Sequence, residues 1–265
     1  MHATPVGPLL REWRINRRLS QLDLALAAGI STRHLSCLET GKSQPSRDMV
    51  VKLAETLEIP LRDRNALLVS AGYASLYPER PLNTPEMSQV RQAIEYILQQ
   101  QEPYPAFLLN RHWDIVMANQ AAQRTSRYML GGRDSAHRNM LLQAFDPDDM
   151  RPCFANWEEV GSGLLRHLHN AIAATPSDIR ARELLDRAMA FPDVPAQWRQ
   201  RAVDQSVSPL LTTILERGDV RLSFFSTFTT FGTPRDITLD DLHIECCFPL
   251  NEETAAFCKA LAKEA

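Results

Sequence analysis

The chain has 265 residues, 44% of them hydrophobic and 23% charged, which suits one or two packed domains and excludes a disordered or fibrous protein. Net charge is only -3, but residues 1 to 73 carry 10 Lys and Arg against 7 Asp and Glu, whereas residues 74 to 265 carry 19 against 25. Affinity for a polyanion therefore belongs to the first part, and the modest excess predicts weak, salt-sensitive binding by a monomer.

The first helix is predicted from about Pro8 to Arg18. Leu10, Trp13 and Leu19 point to a core, and Arg11, Arg14, Arg17 and Arg18 line the rest, either touching phosphate or forming a solvated face. Ser20 caps a second helix over Gln21 to Ala27, Gly29 permits the positive φ that ends it, and Ser31 caps a third. Two short helices thus meet at a tight corner. Leu24, Ala25, Ala28, Ile30, Leu35 and Leu38 are spaced to close one core, leaving Gln21, Thr32, Arg33, Ser36 and Cys37 on the solvent side, which is predicted to face a major groove. Arg33 is the strongest candidate for sequence choice, since a guanidinium can bond both major-groove acceptors of guanine, worth about 1–3 kcal/mol of discrimination. Leu22 and Leu26 fall outside the buried set, an exposed pair suited to docking on the rest of the chain or on a second subunit. Gly41 to Pro45 forms a loop, Ser46 opens a fourth helix to Leu57, and a fifth runs from Leu61 to Ala71 until Gly72.

From about residue 8 to 73 the chain resembles the lambda-repressor and Cro-like helix-turn-helix regulators, the XRE family, with Leu38-Glu39-Thr40-Gly41-Lys42 similar to that family's Leu-Glu-x-Gly-Lys signature. The resemblance implies a five-helix, all-α domain that binds double-stranded DNA, and the modest positive excess leads to the expectation of a dimer offering two reading helices. The resemblance also implies that Gln21 donates to a phosphate and that Ser31, Thr32 and Arg33 at the start of the recognition helix meet the DNA. Ser36, Cys37 and Lys42 complete that set. Glu39 is implied to pair with an arginine of the first helix, here Arg14.

Residues 73 to 86 contain Pro78, Pro81 and Pro85 and read as a connector. The predicted organisation is a DNA-binding domain over 1–73, a linker and connecting helix over 74–100, and a second domain over 101–265. Val90, Ile94, Ile97 and Leu98 mark the connecting helix, from Met87 to about Gln101. Ala106 to Leu109 and Trp113 to Ala118 flank Asn110-Arg-His112 as a hairpin, and Asn119 caps a helix to about Met129. Helices follow over 139–144, 157–174 and 179–190. Strands are predicted over Leu210 to Glu216, Val220 to Phe231 and Leu242 to Phe248, then a helix over 251–263. This makes an α+β domain with an antiparallel, helix-flanked sheet of five strands.

That order of elements resembles a PAS-like domain. Leu109-Asn-Arg-His-Trp-Asp-Ile-Val-Met-Ala-Asn-Gln-Ala-Ala122 and Asn156-Trp-Glu-Glu-Val160 resemble the ligand-binding domain of MmyB-like regulators from about residue 100 onward. The resemblance implies a sensor for an apolar, fatty-acid-like small molecule, with Phe107, Leu109, Trp113, Val116, Trp157, Phe224, Phe228 and Cys246 as candidate pocket residues, each also an ordinary core position. The family's histidine-proline run before the third strand is replaced by Val207-Ser-Pro209, which leaves the ligand class open.

Catalytic and metal motifs are absent. The five cysteines (Cys37, Cys153, Cys246, Cys247, Cys258) show no Cys-x-x-Cys or Cys/His spacing, and His167 and His169, two apart on a helix, diverge too far to share a metal. Gly161-Ser-Gly163 lacks a preceding strand and a third glycine. With no leader segment and no run of about 18 apolar residues, a cytoplasmic chain with reduced thiols, no cofactor and no membrane partner is expected. The reading is a one-component, homodimeric transcription regulator and not an enzyme, an apolar effector changing the dimer geometry. Two other readings stand beside it. A small-molecule enzyme tethered to a DNA reader would show two convergent ionisable groups in its pocket, and a protein-binding scaffold would show a filled core.

Overall fold

The computed structural model describes residues 5–175, 177–200 and 212–263. It divides into two compact units: one comprises the chain up to Thr84 together with Gly232–Asp240, the other Pro85–Phe231 and the chain from Asp241 onward. The division falls inside the stretch 74–100, so the connecting helix belongs to the second unit.

The first unit is built on α1 (Val6–Asn16), α2 (Gln21–Ala27), α3 (Thr32–Glu39), α4 (Arg47–Thr56) and α5 (Leu61–Ser70). Helix α1 starts before Pro8 because the first-turn N–H groups have no intrahelical partner, so proline forfeits nothing there. It ends early where Arg18 turns to φ 56°. Ser20, Ser31 and Ser46 accept the N–H groups of Asp23, His34 and Met49, and Asp23 returns the bond to Ser20 as a capping box. Gly29, at φ 61°, turns the chain between α2 and α3. Leu10, Leu24, Leu35, Leu38, Leu53 and Leu68 are fully or nearly fully buried in one core, with Leu19 and Ile30 packed against it.

Two features here are tertiary and carry no local sequence signal. Pro60 offers α5 no side-chain cap; the Asp240 carboxylate accepts the Leu61 N–H at 2.8 Å, and Asp236 binds Arg80, so the helical turn Ile237–Asp240 completes this unit. The second is Gly7, where a Cβ would stand 2.5 Å from the Leu38 carbonyl oxygen and 2.7 Å from that of Glu39. Gly→Ala in an unhindered helix stabilises. Here Gly7→Ala is expected to destabilise by about 1–3 kcal/mol, because α1 must lift off α3. A raised denaturation midpoint would contradict that close approach.

The second unit begins with α6 (Ser88–Gln100), whose Ile94 and Leu98 are buried while Ile97 is exposed. It continues with β1 (Ala106–Asn110), β2 (Ile115–Ala118), α7 (Gln120–Met129), α8 (Met140–Phe145), α9 (Trp157–Ala174), α10 (Ile179–Met189), β3 (Thr212–Arg217), β4 (Val220–Thr230) and β5 (Leu242–Pro249), and closes with the helix Glu252–Leu261. The five strands form one antiparallel sheet in the order β2-β1-β5-β4-β3. Pro176, Val207-Ser-Pro209 and the strand start expected at Leu210 lie outside the described residues. Because side chains alternate, the cross-strand partners Phe107, Glu245 and Phe228 share one face, and Ala106, Cys246 and Thr227 share the other. Leu141, Phe145, Leu165, Leu168 and Leu184 of α8, α9 and α10 make a helical core that includes Leu109 and Trp113.

Candidate functional site

In the first unit the corner between α2 and α3 leaves Ser31, Arg33 and Lys42 exposed and Gln21, Thr32, Ser36 and Cys37 half-buried. Arg33 makes no hydrogen bond or ion pair among the described residues, so its guanidinium is open to an outside partner. The Ser31 hydroxyl accepts from His34 as the N-cap at 3.1 Å and retains its own proton to donate.

Behind this face sits a buried cluster. Arg14 grips Glu39 through Nε at 2.6 Å and through its second terminal nitrogen at 2.9 Å, and donates to the Leu19 carbonyl. Gln21 also donates to Glu39, at 2.8 Å, which leaves its second amide hydrogen for another acceptor. Burial pushes the Glu39 carboxyl up, but the hydrogen bonds from Arg14 and Gln21 and the charges of Arg14 and Arg11 outweigh it and hold the group below the usual carboxylate range. Of the four arginines expected along the first helix, two are engaged inside the unit: Arg14 in this cluster, and Arg17, just past α1, with the carbonyls of Leu57 and Glu58 that follow α4. Arg11 and Arg18 are the exposed pair. Leu22 and Leu26 are 56% and 71% exposed, the largest apolar exposure on α2.

The second unit contains a half-open cavity of about 1070 Å³, at the top of the range usual for small-molecule sites. Phe107, Trp113, Val116, Phe224 and Phe228 are among its lining residues. Trp113 is held at φ 66°, a backbone region a bulky residue rarely enters, and its ring packs edge-on to Phe228, His167 and His243. Leu109, Trp157 and Cys246 are not among the lining residues. Leu109 is fully buried in the helical core, and Trp157 donates to the Ala144 carbonyl and packs against Phe145 and Trp198. Cys246 faces the opposite side of the sheet, and its neighbour Cys247 lines the cavity instead. Burial pushes the Cys247 thiol far up, and the neighbouring Glu245 carboxyl acts in the same direction.

Sequence reasoning passed over the polar lining. Arg124, Arg127, Arg133 and Arg138, from α7 and the segment after it, line the cavity, as do Ser226 and Glu245. Glu245 had a signal: a lone carboxylate inside an apolar strand. His167 lines the cavity, whereas His169 bonds the Trp198 carbonyl at 2.9 Å. Among the described residues no His/Cys/Asp/Glu group is placed to hold a metal, and no helix is long and apolar enough to cross a membrane.

Comparison with known proteins agrees with this geometry. Residues 10–63 match the helix-turn-helix family model, and residues 90–261 match that of the MmyB-like transcription regulator ligand binding domain. The uncharacterized HTH-type transcriptional regulator RghRB of Bacillus subtilis (strain 168) is 36% identical over 77 residues, 29% of this chain and 53% of the relative, so the chain spans about half that relative's length. An open corner between two short helices, a cavity in the second unit and both family matches lead to one assignment: the chain belongs to the MmyB-like transcription regulators, with a helix-turn-helix domain ahead of a ligand-binding domain.

Proposed function

We propose that this regulator is a cytoplasmic homodimer that reads its operator through Thr32 and Arg33 and answers to an apolar, fatty-acid-like effector held in the second unit. The observation that carries the reading is the cavity: aromatic and aliphatic side chains in its wall, with four arginines also lining it, suit an aliphatic chain with an acidic head. The strand order β2-β1-β5-β4-β3 supports the PAS-like reading of the sheet. Dimerisation follows from the small positive excess of residues 1–73, since two reading helices on one duplex supply the affinity that one lacks.

Glu245 and His167 both line the cavity, as the enzyme reading requires. No hydrogen bond joins them among the described residues, and His167 packs its ring against Trp113 and Phe228. That arrangement favours a sensor. A cavity of this size also weighs against the scaffold reading.

Arg33→Ala is expected to relax sequence preference by about 1–3 kcal/mol in footprinting against genomic fragments, while Gln21→Ala weakens binding to all sequences alike. Equal operator affinity of the two variants would contradict these roles. Native mass spectrometry of the purified protein should reveal a co-purified aliphatic acid; a clean apo mass, with no stabilisation by added acids, would sink the effector reading.

A further inference from the structure

Within the cavity wall, Glu245 is a carboxyl on the sheet, set among aromatic rings. Its Oε2 is buried and accepts no hydrogen bond from the protein. Its cross-strand neighbours are Phe107 on β1 and Phe228 on β4, so aromatic rings stand on both sides of it, and one residue further along β5 on the same face is Cys247. Burial raises the Glu245 carboxyl above the usual range, and the Ser226 hydroxyl opposes that only in part. A carboxyl set among aromatic rings is best met by an uncharged group that can both donate and accept, which matches it without bringing a second charge into the wall.

The basic groups lie elsewhere. Arg124, Arg127, Arg133 and Arg138 all come from α7 and the segment after it and none from the sheet. Arg124 is paired with Glu102, and Arg127 and Arg133 each donate to a backbone carbonyl. Arg138 is exposed and makes no side-chain hydrogen bond among the described residues. Among its polar groups the cavity thus offers two of opposite kind: guanidinium groups on the helical side, and on the sheet a carboxyl with one oxygen unpartnered.

A plain fatty acid uses only the first. We infer that the effector is a hydroxylated aliphatic acid, its carboxylate met by the arginines and its hydroxyl exchanging hydrogen bonds with Glu245. This rests on the proposal that an aliphatic acid fills the cavity. The two-fold terminal torsion of the glutamate makes its oxygens interchangeable, so the ligand hydroxyl is met by whichever oxygen faces the cavity. A ligand hydroxyl meets the Glu245 carboxyl with a hydrogen bond, where a methylene leaves it facing hydrocarbon.

The test measures binding of dodecanoic acid, a set of hydroxydodecanoic acids differing in hydroxyl position, and dodecylamine to the full chain, followed by calorimetry. The same titrations are run on Glu245→Leu and Glu245→Gln. One hydroxy acid should bind the unaltered protein about tenfold tighter than dodecanoic acid, the size of one hydrogen bond. Glu245→Leu should erase that ratio while still binding dodecanoic acid, and Glu245→Gln, which donates and accepts, should keep most of it. A ratio unchanged in Glu245→Leu overturns the inference, as does the absence of any preferred hydroxy acid. Preference for dodecylamine, lost in Glu245→Gln, would replace the hydroxyl with an ammonium group. Failure of every aliphatic probe to bind would bring down the effector proposal itself, which separates the two failures.

Discussion

Glu39→Ala is expected to destabilise the first unit by about 3–5 kcal/mol, the range for breaking a buried ion pair from one side. Arg14 is 9% exposed and Glu39 5%, and the two share two hydrogen bonds at 2.6 and 2.9 Å. Without the carboxylate the Arg14 guanidinium stays in the core with only the Leu19 carbonyl for company, and Gln21 loses its anchor. The loss therefore comes chiefly from an uncompensated charge. A control separates this from packing: Arg14→Met with Glu39→Leu removes both charges at similar volume, and it should recover most of the stability, since desolvating an ion pair consumes much of what its attraction returns. Denaturant unfolding of the full chain, followed in the transition that reports this unit, gives both numbers. If the double variant is as unstable as Glu39→Ala, the pair acts through shape and not through charge balance. Because Glu39 is the last residue of α3 and Gln21 the first of α2, the single variant should also weaken DNA binding without changing which sequence is preferred.

Much of this architecture can be read from the chain because the responsible interactions are local. Ser20, Ser31, Ser46 and Asn119 each cap the helix that follows by bonding an N–H three residues on, so the side chain and the helix it opens are neighbours in sequence. The alternating pattern of β4 and β5 is likewise visible as text. What escaped depends on partners far away along the chain. Asp240 caps α5 across 179 residues, Gly7 is small because two carbonyls of α3 crowd it, and Arg17 is spent on the end of α4. In the cavity, five of the eight residues expected from the sequence are in the lining. Cys246 was displaced by one position because strand periodicity says that neighbours face opposite ways without saying which of them faces the cavity.

Acid is expected to loosen the second unit through Asp178. This carboxylate, 8% exposed at the side chain, caps α10 through the Ala181 N–H at 3.1 Å. It accepts from Arg111 Nε at 3.1 Å and lies 2.9 Å from His112 Nε2, which ties the β1–β2 turn to α10. Burial would raise its pKa, but hydrogen bonds from Arg111, the Ala181 backbone and His112, with the Arg111 charge, bring it from 3.8 down to about 2. A depressed acid stabilises the fold while ionised. The contribution is complete above about pH 4 and falls away as pH drops through 2, because the unfolded chain takes up the proton first; from the size of the shift it amounts to about 2 kcal/mol. Asp178→Asn should flatten the stability profile by that amount between pH 4 and 2 relative to the unaltered protein, the difference between the two curves cancelling every other carboxylate. Asp178→Ala should do more at neutral pH, about 3 kcal/mol, since it also removes the cap and strips Arg111 of its nearest partner, leaving Asp241 at 3.6 Å. Parallel pH profiles for Asp178→Asn and the unaltered chain would mean that the turn and α10 are held by packing alone, and that Arg111 and His112 answer to other groups.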